Sequence, residues 1–106
     1  MPRDYKQQLD DILQAINFIR EYVKNMDYKA FEADRKTQDA VIRNLEIIGE
    51  AAAHLPLEVQ AEYEDIPWNM MKGIRNVLAH EYFGVDLEIV WKTVKEDLPI
   101  LKERLL

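Results

Sequence analysis

Apolar residues recur at three- and four-residue steps along nearly the whole of this 106-residue chain, and that pattern leaves few folds open. Leu9, Ile12, Leu13, Ile16, Ile19 and Val23 form one stripe, and Phe18 and Tyr22 broaden it. Asp10, Asp11, Arg20, Glu21 and Lys24 fall off that stripe. The spacing predicts a helix over roughly residues 4–25. The stretch from Met26 to Thr37 is mixed, and Asp27 is placed to cap a short helical turn carrying Tyr28 and Phe31.

From Thr37 the pattern strengthens again. Val41, Leu45, Ile48, Ala52 and Leu55 make a second stripe. Pro56 disfavours helical backbone at the residue before it, so this helix should stop close to Leu55. Gly49 and Ala51–Ala53 put small side chains on the same helix, which lets a neighbouring backbone come close. Residues 57–66 read as a short helical turn and a connection. Pro67 suits the first position of a third long helix, where its missing N–H costs nothing. That helix would run through Trp68, Met71, Ile74, Leu78 and His80 to a stop at Gly84. Asp86 is a natural cap for a last helix with Ile89, Val90, Val94, Leu98, Leu101 and Leu105 inward, and Pro99 should kink or divide it. The expected fold is all-α: an antiparallel four-helix bundle with an extra short helix, one domain over residues 1–106.

Composition narrows the chemistry. With three glycines and four prolines there are few tight turns, and with no cysteine there is no disulfide, thiolate metal site or cysteine nucleophile. The first residues, Met-Pro-Arg-Asp-Tyr-Lys-Gln-Gln, contain no apolar stretch of the signal-peptide kind, and no run approaches the ~20 apolar residues that span a bilayer. A soluble, cytoplasmic protein that does not enter a membrane is expected. The net charge of −6, from 20 acidic and 14 basic residues, opposes binding of nucleic acid through general electrostatics. Any such contact would have to rest on a local basic patch.

The metal and phosphate motifs are missing: there is no Gly-rich phosphate loop and no His-Glu-x-x-His. His54 and His80 are far apart in sequence, and Glu46 and Glu50 lack a matching Glu-x-x-His on other helices, so neither a metal pair nor a di-iron carboxylate bundle is expected. One segment stands out, Gly73-Ile74-Arg75-Asn76-Val77-Leu78-Ala79-His80-Glu81-Tyr82-Phe83-Gly84. On a helix, Asn76 and His80 share one ridge and Arg75 and Tyr82 another, while Arg75 and His80 stand roughly 140° apart at about 100° per residue. They converge only if the arginine reaches round, the helix end unwinds near Gly84, or a second chain contributes.

The chemistry favours a second chain. Metal-free RNA cleavage needs a base for the 2′-hydroxyl proton, an acid for the departing 5′-oxygen, and positive charge on the phosphoryl group. A two-fold dimer would offer two histidines and two arginines across one groove. Histidine titrates near neutrality, and the planar guanidinium pairs its donors on a phosphate.

The segment Pro67–Asp86 closely resembles the HepT-like branch of the HEPN superfamily, whose motif is Arg, four to six residues, then His. Here it reads Arg75-Asn76-Val77-Leu78-Ala79-His80, followed by Glu81-Tyr82. The resemblance extends to Asn44–Ala52, to Val90–Val94 and to Asp97-Leu98-Pro99, and so covers most of the chain. It implies a homodimeric, metal-independent ribonuclease without a cofactor, its paired motifs lying in a cleft at the dimer interface. It also implies a toxin–antitoxin partnership with a small nucleotidyltransferase of the MNT type. In some such pairs the partner transfers AMP from ATP onto the tyrosine two residues after the histidine, which is Tyr82 in this chain. Added phosphate beside the arginine would repel RNA.

On this reading Arg75 binds the phosphate, His80 moves protons and Asn76 orients His80 from one turn away. Simpler readings stand beside it. Arg75 could be a surface cation, His80 a cation at a helix C-terminus, and Tyr82 a rim residue with its hydroxyl in water. Glu50 either supports the arginine from behind or faces solvent. His54, near the end of its helix, reads as a partner of the helix dipole, and Trp68 and Trp91 as core or dimer contacts. The rival function is a non-catalytic helical subunit that holds substrate for, or regulates, a nucleotidyltransferase. The acidic charge favours that rival, and the Arg75/His80 pair favours the nuclease.

Overall fold

The computed structural model describes residues 5–63, Trp68 and residues 86–105, and every described element is helical. Two long helices, α1 (Tyr5–Tyr22) and α3 (Arg35–Ala53), form the main packing pair, with the short α2 (Tyr28–Glu32) between them in sequence. A further short helix, α4 (Leu57–Glu62), follows Pro56. The last helix is built in three joined pieces: α5 (Leu87–Lys92), a π-helical segment (Thr93–Asp97) and α6 (Leu98–Leu105). The expected all-α bundle is what the described residues form. The third long helix expected from Pro67 to Gly84 lies outside them, apart from Trp68.

The stripes read from the sequence supply the core. Ile12, Ile16 and Ile19 of α1 meet Val41, Leu45, Ile48 and Ala52 of α3, all fully or almost fully buried. Each large aliphatic side chain removed from water in this way contributes about 1.5–3 kcal/mol. Phe18 and Tyr22 do not widen the buried stripe. They stack on each other on the outside of α1, ring centroids 6.3 Å apart, with Phe18 46% exposed. A position about 100° from the centre of a stripe is open to either outcome, and here the neighbour lies on the other side.

Caps set most of the helix ends. α1 stops at Tyr22, earlier than the periodicity alone suggests, and Asn25 sits in the left-handed region at φ 66°. Asparagine tolerates that conformation better than most residues, and it turns the chain towards α2. Asp27 caps α2 as expected, its carboxylate accepting from the Ala30 N–H at 2.9 Å. Asp34 does the same for α3, accepting from the Thr37 N–H at 3.0 Å, so α3 begins at Arg35 rather than Thr37. That pair of hydrogen-bonding contributions from Thr37 holds the Asp34 carboxyl below the usual carboxylate range.

The buried Gln38 amide then ties the two helices together, donating to the carbonyls of Phe31 at 2.9 Å and Glu32 at 2.8 Å. Both carbonyls lie at the end of α2, and that of Phe31 also accepts from the Asp34 N–H at 3.1 Å. Asn44, also buried, donates back to the Ala40 carbonyl at 2.9 Å, the usual resort of a short polar side chain inside a helix. α3 ends at Ala53, just short of Leu55 and Pro56, as the proline requires.

Asp86 caps the last helix through the N–H groups of Glu88 (3.0 Å) and Ile89 (3.4 Å). Val90, Val94, Leu98 and Leu101 face inward as expected, with Leu105 packed against the core, but Ile89 points out and is 51% exposed. The division expected at Pro99 takes the form of the π-helical segment just before it, and the helix continues beyond. The proline ring would collide with the Lys95 carbonyl in a regular α-turn, and the residue has no N–H to offer that group. The turn before it widens instead, and the Leu98 N–H bonds to the Thr93 carbonyl five residues back. The front of this helix packs on α2 and its end on α1, which closes the described part of the core.

Candidate functional site

The motif residues Arg75, Asn76, His80 and Tyr82 lie outside the described residues. What the structure gives is the frame on either side of them and the placement of Glu50 and His54.

On the near side stands Trp68. It is buried, and its indole N–H is shared between two carbonyls, Gln60 at 3.1 Å and Tyr63 at 3.0 Å. Both acceptors lie at the C-terminal end of α4, where the Gln60 carbonyl also accepts from the Tyr63 N–H at 3.2 Å. The Gln60 amide donates in turn to the Leu55 carbonyl at 3.1 Å, and Val59 inserts into the core. Trp68 is therefore a core residue with a satisfied polar edge, and its ring is not offered to a nucleobase. On the far side, the Asp86 carboxylate fixes the first turn of α5.

Trp91 is also a packing residue. Its ring meets Phe31 at a centroid distance of 5.0 Å and Tyr28, edge-on, at 6.3 Å. The Lys95 ammonium lies 5.3 Å from the ring centroid, one turn along the same helix, which is cation–π range. Tyr28 closes this cluster at the surface. Partial desolvation, followed by the nearby charges of Glu32, Glu88 and Asp86, pushes its phenol pKa up. The Tyr28 hydroxyl donates to Glu32 at 3.5 Å, a long contact. The tyrosine thus stays protonated throughout the physiological range, and the cluster joins α2 to the last helix rather than forming a reactive site.

Glu50 and His54 occupy the C-terminal turn of α3. Glu50 is exposed, and His54 is among its neighbours. His54 caps the helix. Its backbone N–H reaches the Glu50 carbonyl at 3.2 Å, and its Nδ1 lies 2.8 Å from the same oxygen. A carbonyl can only accept, so in this geometry Nδ1 carries the proton. The Glu50 carboxylate stands 4.0 Å from the ring, with both side chains at least half exposed. An imidazole on the last turn, bonded to a terminal carbonyl and beside a carboxylate, is the helix-dipole partner expected from its position. Among the described residues, no group of three or more acidic or histidine side chains could hold a metal ion. Among the same residues, no helix is long and apolar enough to cross a membrane.

Known proteins supply what the frame does not. The chain is 48% identical over 102 residues to "Probable ribonuclease HepT" of Thermococcus cleftensis, an alignment covering 96% of this chain and 93% of that protein. It is 44% identical over 101 residues to "Putative RNase MJ1380" of Methanocaldococcus jannaschii, covering 95% and 93% of the two chains. A third relative, "Gamma-glutamylcyclotransferase and putative RNase MJ0434" from the same organism, is 45% identical over 106 residues, and there the chain spans 48% of the relative's length. No solved structure matches the chain. The family described as Ribonuclease HepT-like matches residues 12–106, a span that takes in α3, the Arg75–Tyr82 motif and the last helix together, and the chain belongs to that family.

Proposed function

We propose that the chain is a metal-independent endoribonuclease, the toxin of a HEPN/MNT toxin–antitoxin pair, acting as a homodimer. The observation that carries this reading is the family match over residues 12–106, which contains an unbroken Arg75-Asn76-x-x-x-His80-x-Tyr82. Relatives that align along nearly their full length and bear ribonuclease names support it. In the proposed reaction His80 takes the proton from a ribose 2′-hydroxyl, and the 2′-oxygen attacks the adjacent phosphorus. The bond to the 5′-oxygen breaks as that oxygen is protonated, leaving a 2′,3′-cyclic phosphate and a 5′-hydroxyl. Arg75 holds the phosphoryl oxygens as charge builds on them, and Asn76 positions the imidazole. A second subunit would supply the acid or the second cation that one motif lacks. Against the net charge of −6, the positive charge that holds RNA would have to be confined to a local patch, here the paired arginines.

Regulation follows from the same motif. A nucleotidyltransferase partner would move AMP from ATP to the Tyr82 oxygen with release of pyrophosphate, and the added negative charge would repel RNA from Arg75. Intact-mass spectra should then show an AMP adduct on the wild type and none on Tyr82→Phe. Cleavage is tested with end-labelled RNA and purified protein in EDTA, comparing wild type with His80→Ala. Cyclic-phosphate ends from the wild type alone establish the activity and the role of His80. Equal cleavage by both removes His80 from the mechanism.

A second reading has one observation behind it, the net charge of −6. It makes the chain a non-catalytic subunit that binds substrate for a nucleotidyltransferase or regulates it. Absence of cleavage by folded wild-type protein free of AMP, together with no growth arrest on induced expression, would favour this alternative.

A further inference from the structure

We draw no further inference here: the strongest candidate, the exposed and stacked aromatic pair Phe18 and Tyr22 on the outer face of α1, is an apolar surface patch for which nothing in the structure shows what covers it.

Discussion

The α1–α3 pair and the last helix bury similar aliphatic side chains, yet they reach that end by different routes. α3 starts from an aspartate cap, runs without interruption for 19 residues and ends one turn into small side chains. Its stripe of Val41, Leu45, Ile48 and Ala52 meets Ile12, Ile16 and Ile19 with no concession from the backbone. The last helix carries a proline in its interior and keeps its inner face only by widening the turn before it. It then depends on a half-buried aromatic contact, Trp91 on Phe31 and Tyr28, to hold its front against α2. Regular periodicity thus makes a rigid pair where the backbone is unperturbed. Where the backbone is perturbed, side chains outside the stripe have to complete the packing.

The sharpest way to break this contrast is in the core of the regular pair. Ile48→Ala should cost about 2–5 kcal/mol in urea unfolding, because a close-packed site between two straight helices has little room to collapse. A loss below about 1 kcal/mol would mean that the pair is looser than its burial suggests. The next largest effect should be a gain. If Pro99 is what widens the last helix, Pro99→Ala removes the ring that a regular α-turn would press against the Lys95 carbonyl and should raise stability by roughly 1–3 kcal/mol. An unchanged or lower midpoint would show that packing, not the proline, holds the wide turn.

Asp34→Ala should lower the Tm by a few degrees at pH 7, since α3 loses its cap. Because the Asp34 pKa is lowered in the fold, its contribution is present above the unfolded carboxylate pKa. It is lost as pH falls through the folded value, so wild type and variant should converge in acid. A gap that persists below about pH 3 would assign the effect to something other than the charged cap. The smallest effect belongs to the wide turn itself. Partial burial, then the charge of Glu96, raises the Asp97 pKa against the opposing pull of Lys92. A raised carboxyl pKa means that folding favours the protonated form, so Asp97 costs stability at neutral pH and the cost fades as pH falls. Asp97→Asn should therefore raise the Tm slightly at pH 7 and leave it nearly unchanged near pH 4, as thermal melts at the two values would show.

Much of the described fold was legible because it depends on local signals. The stripe of α1, the Asp27 and Asp86 caps and the stop before Pro56 each follow from a side chain acting within a turn or two. Three features were not legible for the opposite reason. Whether Phe18 and Ile89 face in or out depends on where a neighbouring helix lies, and both lie on the border of their stripes. The start of α3 at Arg35 rests on the Asp34 carboxylate, a residue whose capping role competes with plain solvation. The early end of α1 rests on one asparagine in a left-handed conformation. The candidate site divides in the same way. Arg75, Asn76, His80 and Tyr82 could be singled out as residue types in a spacing, whereas their convergence is a relation between helix sides or between subunits.

The two tryptophans give the molecule a built-in pair of optical reporters. Trp68, enclosed and hydrogen-bonded at the end of α4, should emit at the blue end of the indole range. Trp91, at the seam between α2 and the last helix with a lysine ammonium over its ring, should emit further to the red and respond to quenchers. With one of the two replaced by phenylalanine, the colour and quenching of the other become a local clock for its own part of the fold. Denaturant would then reveal whether the seam opens before the segment entering the motif comes loose, or whether both let go in a single step.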